Sequence, residues 1–303
     1  MSTFTATVAS AQRHVLAEGP VWDADTDTVI WVDVVRGHVY RGALIGDSIS
    51  PLSDEGFDGM VGAAVPGPDG SLLVACQDRL VVVARDGSRT DGPRIVEAGD
   101  PSRTNDGAVD PAGRFLIGTM AFDEQGGHDH LFRVDHDGSL DTLDADLGIS
   151  NGLAWSPDGG TLYSADTLAR TIWARDYDAE TGATGVRRAQ LVIEGFPDGI
   201  CVDERGYLWI AVWGSGQVRC YDLDGRIVDV VEVDPPHVSS VCFVGPELDR
   251  LLITTASRDL DEAGLLEHPD AGRLFLADVG VAGIPTFSWS GAWWRPTRHT
   301  TAS

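Results

Sequence analysis

Six segments of the chain carry a residue of defined chemistry at one recurring position. Glu18, Asp106, Asn151 and Asp198 each stand immediately before a glycine, Val61 does so in a further copy, and Ser239 precedes Ser240 in the sixth. Four of the six are carboxylates or amides. If they converge, a ring of such oxygens is costly to desolvate unless a cation neutralises it. A divalent cation suits that ring. With no His or Cys among the donors, softness favours Ca²⁺, Mg²⁺ or Mn²⁺ and admits Zn²⁺. So few protein ligands leave coordination positions for water and a substrate. Arg103 and Asn105 stand just upstream of Asp106 and are in reach of the same cavity. Asn-Gly and Asp-Gly are also ordinary turn dipeptides, so each alone reads as a turn. The shared position within a repeat is what points to chemistry.

That repeat is the element that must position them. The glycines fall at 19, 62, 107, 152 and 199, at intervals of 43, 45, 45 and 47, and Ser240 follows 41 residues later. Each opening leads to a turn signal, such as Pro68-Asp-Gly or Pro157-Asp-Gly-Gly, and then to a β-rich run, such as Val29-Ile-Trp-Val or Leu208-Trp-Ile-Ala. Short β-branched and aromatic runs between Gly, Pro and Asp are strand–turn–strand chemistry. A period of about 40–50 residues built from short strands predicts propeller blades. The fold class is therefore all-β, a six-bladed β-propeller with a central metal-binding channel. Residues 1–303 read as a single propeller domain, with blades starting near 18, 61, 106, 151, 198 and 239. Phe4 to Ala9 are expected to supply the outer strand of the blade that Leu274 to Ala277 helps build. A short helix is expected within Asp261 to His268, and 292–303 as a loose C-terminal tail. Trp293 and Trp294 either pack on a blade or belong to that tail.

Composition narrows the function. The 303 residues are 43% hydrophobic, enough for a sizeable core, and no window approaches the ~18–20 apolar residues of a membrane helix. The net charge of −25 repels phosphate backbones, so nucleic acid is not an expected partner, and neither is a membrane. All 22 basic residues are arginine. Without lysine there is no Schiff-base chemistry and no Walker A loop. Met1 to Ala17 lack the basic patch and apolar run of a secretory signal. Cys76, Cys201, Cys220 and Cys242 form no C-x-x-C pair, which predicts reduced thiols and a cytoplasmic protein. The histidines show no paired metal spacing.

The motifs together resemble the regucalcin (senescence marker protein)/gluconolactonase family of metal-dependent lactonases. Glu18-Gly-Pro-Val-Trp matches its first blade. Arg103-Thr-Asn-Asp-Gly, Asp110-Pro-Ala-Gly-Arg and Gly118-Thr-Met match the third. Ile149-Ser-Asn-Gly-Leu-Ala-Trp, Pro197-Asp-Gly and Leu208-Trp-Ile-Ala match the fourth and fifth, and the similarity runs from about 15 to 291. The resemblance implies hydrolysis of a sugar (aldono) lactone with one divalent cation, Ca, Zn, Mn or Mg. It implies Glu18, Asn151 and Asp198 as metal ligands, and Arg103, Asn105 and Asp123 as substrate contacts. Asp198 is expected to double as the general base that activates or orients water. Some relatives carry a pocket lysine, which this chain lacks. Two other functions compete: a related propeller hydrolase of non-sugar lactones, esters or organophosphates, and a non-catalytic calcium-binding propeller.

Overall fold

The apolar runs of the repeat are too continuous for sheets wet on one face. Thr28–Asp33, Leu208–Trp213 and Arg250–Thr255 are buried along nearly their whole length. Strands covered on both faces read this way, and radial stacking of sheets is what covers them. In the computed structural model, which describes residues 1–294, the chain is an all-β, six-bladed propeller. Each blade is an antiparallel sheet whose innermost strand opens the repeat. These strands are Ala17–Asp23, Val61–Pro66, Ser102–Val109, Ser150–Trp155, Phe196–Val202 and Val238–Val244.

The core lies between blades, and the pleat decides which interface each side chain enters. Successive strand residues point to opposite faces. Val29 and Trp31 pack with Leu252 and Leu276 of blade 6, while Ile30 and Val32 pack with Val74 and Val81 of blade 2. Likewise Trp209 and Ala211 join Phe243 and Phe275, while Leu208 and Ile210 join Tyr163 and Ile172. Six apolar clusters fill the six interfaces of the ring. Four cysteines are unpaired, three of them buried in these layers. Among the described residues no helix is long and apolar enough to cross a membrane. The short helix forms at Glu262–Glu267, with Asp261 as its N-cap accepting from Gly264 N at 2.8 Å.

The N-terminus closes the ring differently from the expectation. Only Thr7 and Val8 pair with blade 6, opposite Leu276 and Phe275. Phe4 lies in Ser2–Thr5, a fifth strand running parallel to the outer strand of blade 5, with Phe4 opposite Val231. Ala6 N bonded to Glu232 O (2.9 Å) and Ala9 N bonded to Leu274 O (2.7 Å) bracket the crossing. One segment thus covers two outer edges that would otherwise present unpaired backbone.

The C-terminal stretch is a strap across the far end of the channel. It is tied in turn to Leu248 O by Gly283 N (2.8 Å), to Trp22 O by Thr286 Oγ1 (2.9 Å), to Pro66 O by Trp289 N (2.9 Å) and to Gly113 O by Ser290 N (3.0 Å). Trp293 continues it, its ring 5.0 Å from that of Trp289. Residues 295–303 of the expected tail lie outside the described residues. Removal of residues 1–12 is expected to lower the melting temperature by about 5 °C or more, equivalent to roughly 2 kcal/mol. A truncated chain that melts with the full-length protein contradicts this closure.

Candidate active site

Every innermost strand breaks register at or beside its repeat glycine, with Ser240 in that place in the sixth. Glu18 faces Val32 and Val21 faces Ile30, leaving extra residues between them. The same shift separates Asn151 from Leu153, Pro197 from Ile200 and Thr104 from Gly107. A bulge re-aims side chains at a strand edge, and here it does so around one axis. Gly62, Gly152 and Gly199 are needed because neighbouring inner strands nearly touch there, whereas Gly19 takes a left-handed backbone (φ 52°). A Cβ at Gly152 would stand 2.4 Å from Asp198 O, and one at Gly199 would stand 2.0 Å from Ser240 Oγ. That approach is what brings residues from different blades together.

Glu18, Asn151, Asp198, Arg103 and Asn105 line one cavity of about 230 Å³ in the channel, with Phe196, Trp213 and Leu168 as apolar wall. The amides are oriented by a directed chain of hydrogen bonds. Arg103 Nη1 donates to Asn105 Oδ1 (2.7 Å), and Asn105 Nδ2 donates to Asn151 Oδ1 (2.8 Å) and Ser150 O (2.9 Å). Thr167 Oγ1 gives its only proton to Pro197 O (2.8 Å), so it must accept from Asn151 Nδ2 (2.9 Å). The Asn151 oxygen is thereby turned toward Asn105, on the side away from Thr167.

Two positions fall elsewhere. Asp106, although in phase, lines a second chamber of about 110 Å³ nearer the strap, and Asn105 is the third blade's residue at the cavity instead. Asp123 does not line the cavity; its exposed carboxylate accepts from Gln125 N at 3.1 Å, and the next residue, Glu124, faces the cavity. The repeat also gives no hint of Thr167, Arg258 or Asp259, which line the cavity from outside the inner strands. His14 is core, bonded to Gly272 O at 2.9 Å and accepting from Trp31 Nε1 at 3.0 Å.

The carboxylates repel one another in a desolvated place. Burial, then the charge of Asp106, pushes Glu18 up to about 8. Burial pushes Asp106 up to about 6, and burial with Glu18 and Asp106 raises Asp198. Burial, then Arg258, lowers Arg103 to about 10. Asp198 Oδ1 is buried and has no hydrogen-bond partner. Gly19 N donates to Glu18 Oε2 at 3.0 Å. Among the described residues no three His, Cys, Asp or Glu side chains form a metal-holding group. Two carboxylates and the oriented amide oxygen of Asn151 are the donors on offer. An orphaned carboxylate oxygen among repelling acids fits a hard cation.

Residues 16–257 match the family described as the SMP-30/Gluconolactonase/LRE-like region. Pentonolactonase XacC of Haloferax volcanii is 39% identical over 280 residues, covering 90% of this chain and 94% of that one. Regucalcin of Danio rerio is 32% identical over 300 residues, covering 96% and 100%. The crystal structure of the calcium-binding protein regucalcin from Agrobacterium tumefaciens superposes with a TM-score of 0.89 at 28% identity, over 95% of this chain and 98% of that one.

The raised carboxyls make folding proton-linked. Between the ordinary glutamate value of 4.5 and about 8, folded Glu18 keeps a proton that the unfolded chain has lost. The folded state then binds more protons, so stability falls as pH rises. Cation-free protein is expected to melt at progressively lower temperature from about pH 5 to pH 8, and a saturating divalent cation to abolish that decline. A melting temperature that is flat or rises over this interval without cation contradicts the reading.

Proposed function

The chain belongs to the SMP-30/gluconolactonase family, and on that premise we propose that it is a lactonase that opens an aldonolactone to its aldonic acid with one divalent cation held by Glu18, Asn151 and Asp198. The observation that carries this is the orphaned Asp198 Oδ1, buried in one cavity with Glu18, the oriented Asn151 and the Arg103–Asn105 pair. A cation bound there would supply Lewis-acid polarisation of the lactone carbonyl and charge stabilisation of the developing oxyanion.

The side chains do the rest. Asp198 takes the proton of the attacking water at the carboxylate oxygen that the cation would leave free and returns it to the ring oxygen as the C–O bond breaks. Arg103 is buried and forms no ion pair with a carboxylate among the described residues. Its guanidinium holds Asn105, and together they position the ring and its hydroxyls. Four carboxylates and two guanidiniums line the cavity: Glu18, Glu124, Asp198 and Asp259 against Arg103 and Arg258. The excess of two negative charges equals one divalent cation, so the loaded site is neutral and suits an uncharged lactone better than a phosphorylated or carboxylated one. The relative named a pentonolactonase supports a sugar ring as the substrate. The choice among Ca, Zn, Mn and Mg follows from oxygen donors alone and is settled by reconstitution.

Asp198→Asn keeps the shape of the site and removes the base. It is expected to lower turnover of aldonolactones by about 10³-fold or more. Wild-type protein is expected to prefer these substrates to aryl esters and organophosphates. The check is steady-state hydrolysis across that panel with each cation. Variant turnover within about tenfold of wild type removes Asp198 from the chemistry.

A further inference from the structure

Across the mouth of the cavity Arg258 Nη2 meets Glu124 Oε1 at 3.0 Å. The two residues are 134 apart in sequence and come from the loops of blades 6 and 3. We propose that this ion pair is a specificity-determining bar: it presents charged hydrogen-bonding groups to the hydroxyls of a sugar lactone and closes the site to lactones carrying an apolar side chain. The inference rests on the lactonase reading above.

The bar is a partition. Arg103, Met120, Glu124 and Arg258 line the cavity and also line a neighbouring cavity of about 200 Å³. The remaining walls of that neighbour are apolar: Val15, Val35, Met60, Ala121 and Phe122. A greasy annex therefore adjoins the polar site, separated from it chiefly by charged side chains. An alkyl substituent on the lactone ring would fit the annex but would have to strip the ion pair of its partners to enter. Hydroxyls, in contrast, gain charge-assisted hydrogen bonds from the same atoms.

Both ends of the bar are held in place by their backbones. Arg258 N donates to Val15 O at 2.9 Å, and His237 Nδ1 donates to Arg258 O at 2.9 Å. His237 in turn stacks on Trp213, ring centroids 4.4 Å apart, and Trp213 lines the cavity. Phe122 N donates to Pro101 O at 2.9 Å, and Glu124 N to Ala121 O at 3.2 Å. Glu124 (φ 54°) and Asp259 (φ 64°), the latter beside Arg258, adopt the left-handed backbone that side chains other than glycine rarely take. The paired side chains are 32% and 46% exposed, and so open a pair adds little to stability. Strained backbone at both ends of a weak ion pair fits a role in recognition.

The test compares wild type with Glu124→Ala, Arg258→Ala and the double variant, cation-loaded. The substrates are an aldonolactone and a γ-lactone with a five- or six-carbon alkyl chain. Each single variant is expected to raise KM for the aldonolactone about tenfold with a smaller change in kcat, and to raise kcat/KM for the alkyl lactone about tenfold. The double variant should add little, because losing either end opens the partition. Arg258→Lys, which keeps the pair, should stay close to wild type, and Glu124→Gln serves if an alanine variant does not fold. Variants that melt like wild type but gain nothing on the alkyl lactone overturn the proposal. So does a wild-type protein equally active on both substrates. A wild type inactive on every lactone defeats the lactonase reading instead. The bar is then read from calorimetric binding of the alkyl lactone, which must appear in the alanine variants and be absent from wild type for the proposal to survive.

Discussion

Glu18, Asp106 and Asp198 share one desolvated channel, and among the described residues none of them has an ion-paired guanidinium. Like charges in such a place either hold protons or take up a cation. The chain has no lysine that could swing in as a counter-charge. The proposed chemistry depends on that uncompensated repulsion, because a cation that relieves it also leaves Asp198 ionised beside the reacting carbonyl.

Holding repelling groups at a fixed separation demands a rigid frame. The propeller provides it by filling each interblade layer with apolar side chains from both faces of the blades' inner strands. Two segments outside the repeat finish the work. The N-terminal residues stitch blades 5 and 6 at their outer edges, and the strap from Gly283 to Ser290 crosses the end of the channel at the Asp106 chamber. The cavity lined by Glu18, Asn151 and Asp198 includes none of the strap's residues. Preorganised donors stabilise developing charge because they need no rearrangement during the reaction.

Much of this was legible in the sequence, and the parts that were not share a physical reason. Glu18, Asn151 and Asp198 are readable because they occupy one phase of a rotational repeat, and a bulge at that phase turns each toward the axis. Asp106 shares the phase but lines the other chamber, because the bulge in blade 3 spans Thr104 to Gly107 and places Asn105 at the cavity. No pattern of residue types shows which member of a bulge faces which way. The loop after Met120 offered Asp123, yet Glu124 in a left-handed conformation turns inward. Loop register of that kind is set by backbone contacts such as Phe122 N to Pro101 O, which have no signature in sequence. Arg258 and Thr167 lie outside the repeat's inner strands, so periodicity is silent about them.

On the function proposed, one divalent cation occupies this carboxylate–amide site and turnover depends on it. The most direct measurement strips the protein with chelator and returns a divalent cation in steps. Bound cation, by equilibrium dialysis, and aldonolactone hydrolysis are followed on the same samples. Hydrolysis is expected to be lost on stripping and to return in proportion to occupancy, saturating at about one cation per chain. Full hydrolysis by the stripped protein, or cation uptake that leaves hydrolysis unchanged, would contradict it.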